Sequence, residues 1–214
     1  MSGKGRRTPT TARALDDAAL LEVGRSVIGG DMEALGMVRD GLGEGFIVAV
    51  ELLLGVRGKV LVTGMGTSGA TARRIAHLLS CGGTPAVFVH AADGLHGGLG
   101  AVGRDDCIIA ISKGGETDEL NEYCRRARAL GALVIAMTAE PTSPLALIAD
   151  HVLPVVTPPE SDPGEMMAMG SAIAACAVGD ALAVTLMQLR GYAWERFESS
   201  HPGGAVGKRI EARG

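Results

Sequence analysis

KVLVTGMGTSGATARRIAHLLS, residues 59–80, is the stretch on which the fold turns. A short apolar run rich in β-branched residues passes through glycines into a segment of helical spacing, the strand–turn–helix step of an α/β protein. Four further runs resemble its first half: AVFVH (86–90), CIIAIS (107–112), LVIAMT (133–138) and HVLPVV (151–156). They are almost continuously apolar, as strands buried on both faces should be. Helix-length segments at 68–80 and 118–130 lie between runs, and the other connections are shorter. Repeated βαβ steps of this kind predict a parallel sheet.

Outside the strand region, apolar residues recur at helical spacing over 16–28 and 45–56, with Gly29 and Gly30 expected to stop the first helix. A proline-rich stretch, TPPESDPGE (157–165), leads into a long apolar helix expected from Met166 to about Leu189, and the chain closes in a basic tail. Residues 1–12 are polar and aperiodic, which predicts a disordered leader, and 13–214 are expected to form a single domain.

Composition agrees and excludes several classes. Hydrophobic residues make up 47% of the chain but aromatics only 3%, and 32 glycines are present, so the core is built from small aliphatic side chains packed on tight turns. The net charge of -4 is spread along the chain, so no nucleic-acid partner is expected. The run 172–187 holds Asp180 and Thr185 and is rich in Ala and Gly, so no membrane span is expected. No apolar segment of signal-peptide type follows the basic leader. Cys81, Cys107, Cys124 and Cys176 have neither zinc-knuckle spacing nor disulfide density, and they read as reduced thiols of a cytoplasmic protein.

The motif GMGTSG (64–69) resembles a dinucleotide fingerprint but has its third glycine at the wrong spacing, and no acidic residue ends the second strand. An anion site remains, with Gly66, Thr67 and Ser68 at a helix N-terminus, although a merely tight turn fits the same residues. ISKGGETDE (111–119) repeats the arrangement with Ser112, Lys113, Gly114 and Thr117. Two such loops at the carboxyl ends of neighbouring strands would converge on one crevice. His96 in GLHGGLG (94–100) and His201 in SSHPGG (199–204) stand in rigid loops suited to proton transfer, though a solvated loop histidine has the same spacing. His77 and His151 read as structural, and His90 at a strand end is undecided. Glu116 and Glu165 read as helix-dipole partners, and on position alone Glu119 and Glu160 admit the same account.

From about residue 15 to 210 the chain resembles the sugar isomerase (SIS) domain of arabinose 5-phosphate isomerases, enzymes of lipopolysaccharide and capsule precursor synthesis. The residues that carry the resemblance are GMGTSG, GTPAVFVHAADGLHGGLG (83–100), AISKGGETDEL (110–120), AMTAEPTSPLALIADHVL (136–153), MGSAIAACAVGDALAVTLMQLRGYAWERF (169–197) and SHPGGAVGKRI (200–210). The resemblance implies a five-stranded parallel sheet flanked by helices, a flavodoxin-like three-layer sandwich. It also implies a homotetramer whose active sites form where subunits meet, with histidines arriving from neighbouring chains. The family's functional histidines match His96 and His201, and its glutamates match Glu119 and Glu160.

Three departures stand out. Thr67 occupies the position of the family's loop lysine, so the cation expected near the anionic group is lost unless Lys113 of the second loop supplies it from another direction. The Ser-x-Ser pattern of the second loop is reduced to Ser112 and Gly114. The hydroxyl-rich opening of the long helix has become Ala168, Met169, Gly170, Ser171 and Ala172. The family's tandem regulatory CBS domains are not expected.

The implied activity is interconversion of an aldose and a ketose bearing a terminal anionic group, through a cis-enediol. Glu160 is the expected carbon base, its pKa raised by burial. His201 is expected to open the ring and move oxygen protons, His96 to polarise the carbonyl, and Glu119 to orient a neighbour. Gly66, Thr67, Ser68, Ser112, Lys113, Gly114, Thr117 and Ser171 are the expected anion and substrate contacts. No His, Cys or carboxylate cluster has ligand spacing, so neither metal nor organic cofactor is expected. The alternative is a SIS sensor that binds a sugar phosphate without turning it over, and the four retained acid–base residues favour chemistry. The lost hydroxyls and loop lysine predict that arabinose 5-phosphate is not the best substrate, and that a tetrose phosphate or a sugar sulfonate fits better.

Overall fold

A computed structural model describes residues 15–204, 207 and 208. The leader at 1–12 and most of the basic tail lie outside the described residues. The five apolar runs become β1 (Val60–Gly64), β2 (Ala86–Phe88), β3 (Cys107–Ile111), β4 (Leu133–Thr138) and β5 (His151–Pro154). All neighbouring pairs are parallel, in the order β2-β1-β3-β4-β5. β1 and β3 are buried at every residue, whereas the edge strands β2 and β5 are partly exposed, as their positions in the sheet dictate.

Eight α-helices have described bounds: α1 (Asp17–Asp40), α2 (Glu44–Leu54), α3 (Gly66–Cys81), α4 (Ala91–Leu95), α5 (Asp118–Ala129), α6 (Pro144–Ile148), α7 (Gly170–Leu189) and α8 (Trp194–Ser200). Alternation along the strands sorts them into two layers. Val60, Val62, Ile109, Ile135 and Met137 face α1, α2, α3 and α7. Leu61, Ile108, Ala110, Val134 and Ala136 face α4, α5 and α6. The result is the three-layer sandwich expected.

Two helix boundaries differ from expectation. α1 runs through Gly29 and Gly30 to a cap at Gly41, because packing against α7 and the turn at Pro159–Ser161 outweighs the roughly 1 kcal/mol each glycine costs. The long helix starts at Gly170 rather than Met166, since Met169 (φ -124, ψ -77) takes a non-helical conformation immediately before it; Gly164 (φ 63) and Glu165 (φ 57) are left-handed turn residues. Glu165 is thus a turn residue and not a helix-dipole partner.

By length and composition α7 is the one helix among the described residues that could cross a membrane. It is instead a core helix, packed on α1 and α3. Gly179 makes the α3 contact possible, because a Cβ there would lie 2.4 Å from Ile75 Cγ1. This close approach brings the first turns of α3 and α7 to the same point above the sheet.

Candidate functional site

Strand order reverses between β1 and β3, and the two glycine loops leave the carboxyl ends of these adjacent strands. That is where an open parallel sheet leaves a crevice. In the first loop, Gly64 and Gly69 serve the loop itself: a Cβ on Gly64 would sit 2.8 Å from the Ser68 carbonyl, and one on Gly69 2.8 Å from the Gly64 oxygen. Gly66 differs, with φ +54 and no atom within 4 Å of its missing Cβ, so its backbone faces open space at the start of α3. Thr67 is exposed and Ser68 half-buried beside it.

The second loop is held from within. Ser112 Oγ accepts the Gly115 N–H at 3.1 Å, and Asn121 Nδ2 donates to the Gly115 carbonyl at 3.1 Å. Gly115 has φ +66, and a Cβ there would collide with Ser143 Oγ. Ser112 therefore shapes the loop; Gly114 and Lys113 remain on its accessible side, and Thr117 is the N-terminal boundary residue of α5.

Ser68, Lys113 and Ser171 line one cavity of about 30 Å³, roughly the room for a single water. It adjoins an open cleft of about 530 Å³ lined by Met65, Thr67, Ser68, Met166, Met167 and Ala168. The two share Ser68 and Ala168, so α3, α7 and both loops meet at one place. A larger cleft of about 650 Å³ lies at the amino ends of the strands, lined by Arg57, Arg104, Asp105, Arg128 and Asp150 among others. It is the wrong edge of the sheet for a ligand, and Arg57–Asp105 and Arg128–Asp150 pair their charges there.

Asp162, which sequence reasoning passed over, pairs with a residue of the candidate site. Its side chain is 2% exposed and pairs with Lys113 Nζ at 2.7 Å. Oδ1 accepts the N–H groups of Met169 (2.8 Å) and Ser171 (3.0 Å), at the opening of α7. Burial alone would raise its pKa, but the hydrogen bonds from Lys113, Ser171 and Met169 outweigh it and hold the carboxyl down to about 2. The signal was an aspartate two residues past Glu160 and just ahead of a helix, and without the fold nothing tied it to Lys113.

The acid–base candidates are dispersed over one chain. Glu160 is exposed in the turn Pro159–Ser161, which abuts the first turn of α7 through Ser161 and Gly170. The burial expected of it is not provided within one chain. Glu119 in the first turn of α5 and His96 at the end of α4 are both exposed, on the opposite layer, where α4 packs on α5.

His201 lies elsewhere. Its Nε2 is 3.3 Å from Cys81 Sγ at the last residue of α3, its Nδ1 is 2.8 Å from the Phe197 carbonyl, and its ring stacks on Phe197 at 3.9 Å. The carbonyl contact requires a proton on Nδ1, so in the neutral imidazole Nε2 is the acceptor. α3 begins at the crevice, so thirteen residues at 1.5 Å each put the seat of His201 about 20 Å from Ser68. Among the described residues no hydrogen bond joins any two of His96, Glu119, Glu160 and His201, and no group of three His, Cys, Asp or Glu side chains is placed to hold a metal.

Comparison with known proteins follows the same lines. The chain is 39% identical over 183 residues to the arabinose 5-phosphate isomerase KdsD of Pseudomonas aeruginosa, covering 86% of this chain and 56% of that protein. It is 38% identical over 192 residues to GutQ of Escherichia coli K12, another arabinose 5-phosphate isomerase, covering 90% and 60%. It thus spans less than two thirds of these relatives' length. Among solved structures, an E. coli CFT073 protein in complex with arabinose 5-phosphate superposes with a TM-score of 0.85 at 30% identity, covering 88% of this chain and all of that one. The sugar isomerase domain of an RpiR transcription factor from Sphaerobacter thermophilus shares the fold at 22% identity and a TM-score of 0.67. The SIS domain profile matches residues 53–185, from the end of α2 to most of α7, and the chain belongs to that family.

Proposed function

We propose that this chain is an aldose–ketose isomerase acting on a sugar with a terminal anionic group. The observation that carries the reading is the meeting of Ser68, Lys113 and Ser171 in one cavity at the switch point of the sheet, with the turn that bears Glu160 packed on the first turn of α7 through Ser161 and Gly170. The relatives named as arabinose 5-phosphate isomerases, and the structural neighbour that holds this sugar phosphate, support it. In this reading the anionic group sits on the Gly66–Ser68 backbone and hydroxyls, on Gly114 and Thr117 of the second loop, and beside Lys113. Glu160 takes the proton from the carbon next to the carbonyl and returns it to its neighbour, while His201 opens the ring and moves oxygen protons. His96 polarises the carbonyl, and Glu119 orients a histidine or a hydroxyl.

The dispersal of these groups is met by assembly. We read residues from 13 onward as one SIS domain that forms a homotetramer in the cytoplasm. Leu20, Leu21, Ile28 and Met32 on α1 and Ile173 and Val184 on α7 are exposed apolar side chains suited to subunit contact. An apolar groove of about 340 Å³ between α3 and α7 reaches Trp194 and Phe197, beside His201. The four free cysteines suit a reducing compartment.

Steady-state kinetics on arabinose 5-phosphate beside tetrose phosphates and sulfonated sugars test the substrate. Thr67 gives the first loop no cation, and Met166 and Met167 crowd the cleft, so a shorter or less charged substrate should show the higher kcat/KM. A maximum on arabinose 5-phosphate would mean that Lys113 compensates fully. Turnover of none of them, with tight binding of one, would favour the sensor reading.

A further inference from the structure

The ion pair behind the crevice is built differently from a surface pair. Asp162 uses its two oxygens for two separate tasks. Oδ1 is spent on the opening of α7, accepting from Met169 and Ser171, while Oδ2 takes only Lys113 Nζ at 2.7 Å. A helix cap needs the first of these tasks and not the second. Lys113 is fixed from behind as well: its carbonyl accepts from Thr138 Oγ1 and from the Ala139 N–H, both at 2.9 Å. Backbone and ammonium are thus both tied down, yet the side chain remains 38% exposed, so two of its three N–H donors are free to turn outward. Lys113 is the charged residue among those lining the small cavity, together with Ser68 and Ser171.

The charges do not simply cancel. The Asp162 carboxylate also neutralises the positive end of α7, worth about half a charge. Lysine, carboxylate and helix end together leave roughly half a positive charge at the wall of the crevice. At the helix end itself Asp162 takes the N–H groups of Met169 and Ser171.

We propose that Asp162 is a positioning residue: anchored on the opening of α7, it holds the Lys113 ammonium at the crevice wall, where that ammonium meets the anionic group of the substrate. The identity of that substrate rests on the isomerase reading above, whereas the anchor itself does not.

Inorganic phosphate is the probe, with binding measured by calorimetry and by protection against thermal unfolding, neither of which needs turnover. Lys113→Met should weaken phosphate binding about 10-fold, the range for a charge-assisted hydrogen bond. Asp162→Asn is the deciding variant, because field and positioning predict opposite signs. Deleting a nearby negative charge would by field alone tighten anion binding, whereas loss of the clamp lets the lysine swing away and should weaken it several-fold. Asparagine keeps an oxygen for the α7 N–H groups and turns an amide toward Lys113. In the Lys113→Met background the field effect acts alone, so Asp162→Asn should no longer weaken phosphate binding. Unchanged or tighter phosphate binding by folded Asp162→Asn, or strictly additive effects in the double variant, would overturn the proposal. Should Asp162→Asn fail to fold, unchanged phosphate affinity in Lys113→Met would overturn it equally, as would absence of phosphate binding by the unaltered protein. Phosphate shifts of the expected sign in a protein that isomerises none of the sugars would retain the anchor and refute the isomerase reading.

Discussion

Glu160→Gln is expected to lower kcat about 100-fold or more, the loss typical of removing a general base, while the protein stays folded and assembled. The side chain is exposed in the turn Pro159–Ser161, so an isosteric amide disturbs no packing. Exposed substitutions of this kind usually stay within about 0.5 kcal/mol of neutral stability. What the amide cannot do is accept and return the proton that moves between the two carbons. Isomerisation assayed beside circular dichroism and size-exclusion profiles separates the two effects. Near-native turnover by this variant would remove Glu160 from the role of base.

Activity regained by mixing two dead proteins is the second large effect. His201→Ala and Glu160→Gln should each be inactive alone, since each removes one essential group. If a working site combines Glu160 of one subunit with His201 of another, random exchange gives about one site in four both native residues. The motivation is geometric: the contact with Cys81 seats His201 at the far end of α3, about 20 Å from Ser68, whereas the turn that bears Glu160 packs on the first turn of α7. Subunit exchange verified with differently tagged chains, followed by no return of activity in any ratio, would exclude a site shared between subunits.

Much of this architecture was legible because its signals are local. The runs that became β1 and β3 are apolar at consecutive positions, which only a strand covered on both faces requires. The glycine loops announced themselves by composition, and both fall where two adjacent strands end. What escaped depends on tertiary contact. Gly29 and Gly30 look like a helix stop, yet α1 continues because α7 and the turn before it lie alongside. Gly64 and Gly69 look like ligand-facing glycines, but they let strand and helix approach one another. Asp162 looks like a loop aspartate and becomes a buried partner only once the loop after β3 meets the segment that opens α7. His96, Glu119, Glu160 and His201 were identified through family resemblance, and spacing alone left each of them with an ordinary structural account.

α3 also acts as a ruler. Its 16 residues separate the anion loop from the seat of His201 by a fixed length, and no rotation of side chains closes that gap. On the shared-site reading, a lone chain can fold and hold an anion without completing the reaction. Catalytic competence is then a property of concentration: dilution below the dissociation constant of the assembly switches the protein off while every subunit remains native, and doubling the number of chains near that threshold more than doubles the turnover.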